Sequence, residues 1–220
     1  MIEKKSLKTK GGIMAYKTFT RAALVAGLAV GAAFSATAAE EKPKMMMGAD
    51  AAMLANTCAG CHGTGGNSQG PAAPTIAGLS PTYFEETMVG FASGEIPSTI
   101  MNRIAKGYSE DEIKAMAKFY ADKPFTKATQ SFDADLAAKG AKLHDKYCEK
   151  CHAEGGQSPE DDAGVLAGQW TPYVNWTLAD YKAGDREATK KMKKKLSEML
   201  EREGSDGVMA LLNYYASQQK

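Results

Sequence analysis

Every cysteine in the chain falls in one of two five-residue runs, Cys58-Ala59-Gly60-Cys61-His62 and Cys148-Glu149-Lys150-Cys151-His152, set 90 residues apart. CxxCH is the attachment signature of c-type haem. On a helical turn, residues three and four apart share a face, so two thiols can bond the porphyrin vinyl groups while the imidazole meets iron from the same side. A CxxC pair also serves as a redox dithiol or as half of a zinc site, and four cysteines can equally form one four-thiolate zinc centre or two disulfides. Repetition, the histidine directly after each pair and the lack of any left-over cysteine favour two covalent haems. Cys58, Cys61, Cys148 and Cys151 are then the attachment points, with His62 and His152 as iron ligands.

The same 90-residue shift aligns more than the motifs. Ala77-Gly78 falls on Ala167-Gly168, Tyr83 on Tyr173 and Gly94-Glu95 on Gly184-Asp185, while Pro74 falls on Gly164. The chain therefore reads as one module written twice. Apolar spacing predicts helices over 49–61 and 133–151, each delivering a motif, then Gly-rich loops, then helices over 81–92 and 171–182. Ser109 and Glu112 form a capping box ahead of Ile113, Met116, Ala117 and Tyr120; the matching last helix is expected over 206–217. No stretch alternates as a strand would. The expected fold is all-α, two tandem cytochrome c-like haem domains related by internal duplication, over 40–121 and 134–220. Residues 122–133 (DKPFTKATQSFD), with a proline and no periodicity, read as the linker.

A histidine on one side of iron leaves the sixth position to a second ligand, water or substrate. Met101 lies 39 residues after His62 and Met192 lies 40 after His152, the best-matched methionine pair in the two halves. Methionine is also a pliable core filler, the role expected of Met88 and Met116. Met199 is the alternative in the second half, and His144 is expected to point away from iron or to flank the haem. With His and Met both bound, iron exchanges electrons without binding substrate; an open position would suit peroxide or gas chemistry instead. The stretch Pro74-Thr75-Ile76-Ala77-Gly78 can offer a backbone carbonyl to the His62 ring, and Gly164 can do so for His152. Tyr83 and Tyr173 are candidates for propionate hydrogen bonds or for core tyrosines, and Trp170 and Trp176 read as packing or interface residues.

Residues 1–39 read as an export signal: Lys17 and Arg21 precede a small-residue apolar run over 22–34, and Ala36-Thr37-Ala38-Ala39 offers a processing site. That run is too short and too rich in Ala and Gly for a membrane span, so the mature chain is expected to have none, and to be periplasmic. Removing 1–39 takes away six Lys/Arg and one acid and leaves 21 bases against 25 acids, a formal charge of −4. Nucleic acid is an unsuitable partner for such a surface. The basic run over 190–195 is the exception, either a solvated face or a guide for an acidic partner.

The first half, with MNRIAKGYSEDEIKAMAKFYA from Met101, resembles both tandem dihaem cytochromes of respiratory chains and the haem subunit of flavocytochrome c sulfide dehydrogenase. The second half, with GQWTPYVNWTLADYKAGDREATKKMKKKLSEML from Gly168 and the ending ALLNYYASQQK, is similar to the latter in particular. That resemblance implies a heterodimer with a flavoprotein subunit. Sulfide would be oxidised at the partner's FAD, and electrons would pass through two haems to a small acceptor such as a soluble cytochrome c. This chain would be the electron-accepting subunit and would not oxidise sulfide alone. A free dihaem shuttle feeding a terminal oxidase is the alternative. Replacing one attachment pair, Cys148→Ser with Cys151→Ser, is expected to leave one covalent haem per exported chain by intact mass.

Overall fold

Each half begins with a short helix that starts on an aspartate and runs toward its motif. The computed structural model describes residues 48–219; the expected export signal lies outside them. In the first half, α1 (Ala51–Asn56) is capped by Asp50, whose carboxylate accepts from Met53 N–H. The chain breaks at Thr57–Cys58 and resumes as α2 (Ala59–His62). The single helix expected over 49–61 is therefore two. The Thr57 hydroxyl, which bonds back to the Leu54 carbonyl and across to the Tyr108 hydroxyl, competes for the helix backbone at the break.

Pro81 at the first turn and the Ser80 cap open α3 (Pro81–Ser93), and Gly94 in the left-handed region closes it. A one-turn α4 (Met101–Ile104) leads to α5 (Glu110–Ala121). The capping box is present as expected, with Ser109 N–H donating to Glu112 at 2.7 Å. One stripe of α5, Ile113, Met116, Ala117 and Tyr120, is buried against Leu54, Phe84 and Met88. Each of the large side chains in that stripe contributes about 1.5–3 kcal/mol by leaving water.

The second half repeats the plan with longer elements. Here α6 (Ala134–Tyr147) stops before Cys148 instead of running through to 151, so the second motif lies in turns rather than a helix. A single turn, α7 (Ala153–Gly156), follows, then α8 (Thr171–Ala183), closed by left-handed Gly184 as α3 is by Gly94. The last helix, expected over 206–217, is the second limb of α9 (Lys190–Ser217): Gly204 breaks the stretch, and the limb before it was not expected. Gly204 has φ 58° and ψ −148°, a conformation that essentially only glycine adopts, so the bend has a residue-level cause. Val208, Leu211, Leu212 and Tyr215 are its buried stripe, packed on Leu143 and Tyr147 of α6.

The two halves are bolted together. Gln169 pairs with the Thr75 peptide, the Trp170 indole donates to the Ser68 carbonyl, and the Ser80 hydroxyl meets the Asp162 carboxylate at 2.8 Å. The segment between them is strapped down as well: Ala128 N–H donates to Gly168, and Gln130 bonds both the Gln169 carbonyl and Thr171 N–H. Among the described residues no helix is long and apolar enough to cross a membrane.

Helices α6 and α9 pack tightly at Gly140, where a Cβ would collide with the Ala210 carbonyl oxygen and lie 2.7 Å from Tyr214 Cβ. Gly140→Ala must push the two helices apart. It is expected to lower stability by about 1–3 kcal/mol, the usual range for overpacking, read as a lower midpoint in guanidinium unfolding of the loaded protein.

Candidate haem sites

In each half the motif histidine is turned inward by a carbonyl from a later loop. His62 Nδ1–H donates to the Pro74 carbonyl at 2.8 Å, and His152 Nδ1–H to the Gly164 carbonyl at 3.3 Å. Those loops are themselves fixed alike: Ile76 and Ala77 N–H bond the Gly66 carbonyl, as Leu166 and Ala167 N–H bond Gly156. Gly78 N–H then reaches Tyr120 and Gly168 N–H reaches Tyr215, tying each loop to its last helix. Burial depresses the pKa of both imidazoles, and the carbonyl bonds offset this in part. A neutral ring that donates at Nδ1 keeps the Nε2 lone pair for a metal.

The thiols stand beside these rings. Cys58 and Cys148 are half-buried, Cys61 and Cys151 are exposed, and none of the four is in a disulfide. Each half-buried sulfur neighbours a buried tyrosine hydroxyl, Tyr120 for Cys58 and Tyr215 for Cys148, and burial raises the pKa of both phenols. Burial also pushes the Cys148 thiol up. Among the described residues no three His, Cys, Asp or Glu side chains converge on one point.

The two methionines are placed differently. Met101 opens α4 and packs, half-buried, on the first core together with Cys58 and Ile76. Met192 lies half-buried in the first turn of α9, its N–H bonded to Thr189, and is not among the side chains packed on the second core. Met199 is, at 1 % exposure. Met88 and Met116 are core fillers, as expected, at 5 % and 0 %. His144 is buried at 2 % and bonds Glu149 at 2.7 Å and the Tyr215 hydroxyl at 3.0 Å, so it braces the second motif from behind. Burial alone would raise the Glu149 pKa, but the Gly155 N–H, His144 and the Glu154 N–H together hold this carboxyl below its ordinary range.

One buried charge escapes the reading of the sequence. Arg186 is 7 % exposed and lies among Tyr83 of α3 and Tyr173 and Tyr181 of α8. Burial works against its charge, and the three phenols favour it strongly enough to raise its pKa. Its guanidinium stacks 5.1 Å from the Tyr181 ring centre, and no carboxylate among the described residues forms an ion pair with it. The Tyr83 hydroxyl lies against Gly164, where a Cβ would stand 2.8 Å from it, so the cluster adjoins the loop that orients His152. A signal was available: the 90-residue shift sets Arg186 on Ile96, a cation on an apolar position.

This donor set fits haem c. Each half offers an oriented imidazole nitrogen with two thiols nearby, and the buried cation with its phenols suits the carboxylates of a porphyrin. Fold and site together define a c-type cytochrome of two tandem helical domains. The cytochrome subunit of sulfide dehydrogenase from Chlorobaculum tepidum is 40% identical over 97 residues, 43% of this chain and 87% of that one. The chain belongs to the family of that cytochrome subunit. A thiosulfate dehydrogenase electron acceptor from Stutzerimonas stutzeri is 30% identical over 151 residues, 63% of this chain and 68% of the relative. The crystal structure of reduced recombinant cytochrome c4 from Pseudomonas stutzeri shares the fold, with a TM-score of 0.64 at 24% identity over 76% of this chain and 98% of that one. No protein-family model matches the chain. Membership implies covalently bound haem c and a role in electron transfer.

Replacing the two second-half methionines separates packing from ligation. Met199→Ala is expected to cost about 2–5 kcal/mol, as for other buried methionines, and to leave both haem spectra intact. Met192→Ala is expected to change the spectrum of one haem at a smaller loss of stability.

Proposed function

We propose that the chain is the dihaem electron-accepting subunit of a sulfide-oxidising flavoprotein complex, carrying one haem c in each half. The single observation that supports this reading best is the repeated imidazole clamp, His62 on Pro74 and His152 on Gly164. Two sites prepared alike suit two one-electron centres rather than one centre with a structural copy. Cys58 and Cys61 would tether the first haem and Cys148 and Cys151 the second. His62 with Met101, and His152 with Met192, would hold the irons. When bound, each haem would supply a one-electron redox centre that exchanges electrons without taking up substrate.

The protein's own groups then do three things. Nδ1–H bonds fix each imidazole and make its other nitrogen a better donor. Arg186, Tyr83 and Tyr173 would hold propionates at the junction of the halves, pairing the buried guanidinium with carboxylate charge. The straps around 122–133 would hold the two centres at one separation. The domains would run over 40–121 and 134–220, and the export signal over 1–39 would deliver the chain to the periplasm. The names of the sulfide and thiosulfate dehydrogenase relatives support electrons arriving from a dehydrogenase. A partner FAD that takes two electrons from sulfide would drain them singly into two irons, and a small soluble cytochrome c would be the acceptor.

The likeness to cytochrome c4 favours a second reading, a free shuttle feeding a terminal oxidase. Purification from the native membrane-free extract distinguishes them. A stable complex that contains flavin and reduces these haems on adding sulfide is expected. A lone two-haem monomer, inert to sulfide and oxidised by an oxidase, would replace the first reading with the second.

A further inference from the structure

Gln169 is a buried carboxamide, 3 % exposed, that belongs to the second half and reaches with both polar atoms of its side chain to the first. Its Oε1 accepts Thr75 N–H at 2.9 Å and its Nε2 donates to the Thr75 carbonyl at 2.9 Å, so both backbone polar groups of Thr75 are satisfied. Thr75, itself 1 % exposed, directly follows Pro74, whose carbonyl orients His62. Its hydroxyl also accepts from Ser68 N–H, closing the loop on itself. At its own end, Gln169 is anchored three ways. Its N–H bonds Leu166, its carbonyl accepts from Gln130, and its Oε1 also takes Trp170 N–H. It also comes directly after Gly168, which is tied to Tyr215.

The 90-residue shift places Leu79 on Gln169, and Leu79 is buried at 7 % with no polar group to return the contact. The brace therefore runs one way. On the assignment of His62 and His152 as iron ligands, we infer that Gln169 is a positioning residue of the first haem site: the second half holds the Thr75 peptide, hence the Pro74 carbonyl, hence the His62 ring. Slackening that carbonyl weakens the Nδ1–H bond, makes the imidazole a poorer donor to ferric iron and raises the potential of the first haem alone. Both backbone groups of Thr75 are buried with the carboxamide, so they have no alternative partner in water once it is gone.

Gln169→Met keeps the length of the side chain and removes both hydrogen bonds; Gln169→Leu restores the residue of the first half. Each is compared with the parent by spectroelectrochemical titration of the two-haem protein, the first haem being the wave that Met101→Ala disturbs. The expected result is an upward shift of that wave, with the other wave in place. A change of about tenfold in the reduction equilibrium is the lower end of what losing an outer hydrogen-bonding partner costs at a metal site, or about 59 mV for one electron. Trp170→Phe, which removes the neighbouring cross-link to Ser68, is expected to leave both waves unmoved. Equal shifts in both waves, no shift, or the same shift in Trp170→Phe would overturn the inference. Hydrogen exchange on the unaltered protein supplies a reading that no variant can spoil: the Thr75 amide is expected to be as protected as the core of α5, and fast exchange there also refutes the brace. Should Met101→Ala disturb neither wave, the ligand assignment fails while the exchange result still judges Gln169.

Discussion

A donor bond from an imidazole to a loop carbonyl organises each half of this protein. It requires a loop held close enough to the motif to offer that oxygen, and the loop is held because its own N–H groups bond backward to Gly66 or Gly156 and forward to Tyr120 or Tyr215. Those tyrosines lie on the buried stripes of α5 and α9. The last helix, the loop and the motif thus form one closed circuit in each half. The ring nitrogen left over is the group that the circuit presents.

Much of this was legible in the residues. The motif spacing, the 90-residue shift, the capping box at Ser109, the fillers Met88 and Met116 and a carbonyl from the stretch Pro74 to Gly78 all follow from local chemistry with a fixed geometric consequence. What resisted reading was tertiary. The break between α1 and α2 depends on where the Thr57 hydroxyl finds its partners, and the break between the two limbs of α9 depends on the backbone conformation of Gly204. Arg186 and Gln169 look like ordinary surface residues in one dimension, because nothing local marks them for burial.

Aligning the halves by their shared offset recovers those residues after all. Leu54, Leu79 and Ile96 of the first half stand where His144, Gln169 and Arg186 stand in the second. In each case an aliphatic side chain has given way to a buried polar one. His144 braces the second motif through Glu149 and Tyr215, Gln169 reaches across to Thr75, and Arg186 collects tyrosines from both halves. A buried polar group without partners costs roughly 1–3 kcal/mol, so each replacement stands only because its partners arrive with it. The first half is the simpler apolar version, and the second carries the added hydrogen bonding.

That inequality gives the tandem a direction. Were the two halves cut apart, the leading one would forfeit the clasp on its Thr75 backbone, while the trailing one would keep a carboxamide whose remaining bond is to its own Trp170 N–H. Two copies of the leading half could not make that clasp, because leucine would stand where the carboxamide does. The halves of the tandem are thus no longer interchangeable, since one of them alone carries the key to the lock that joins them.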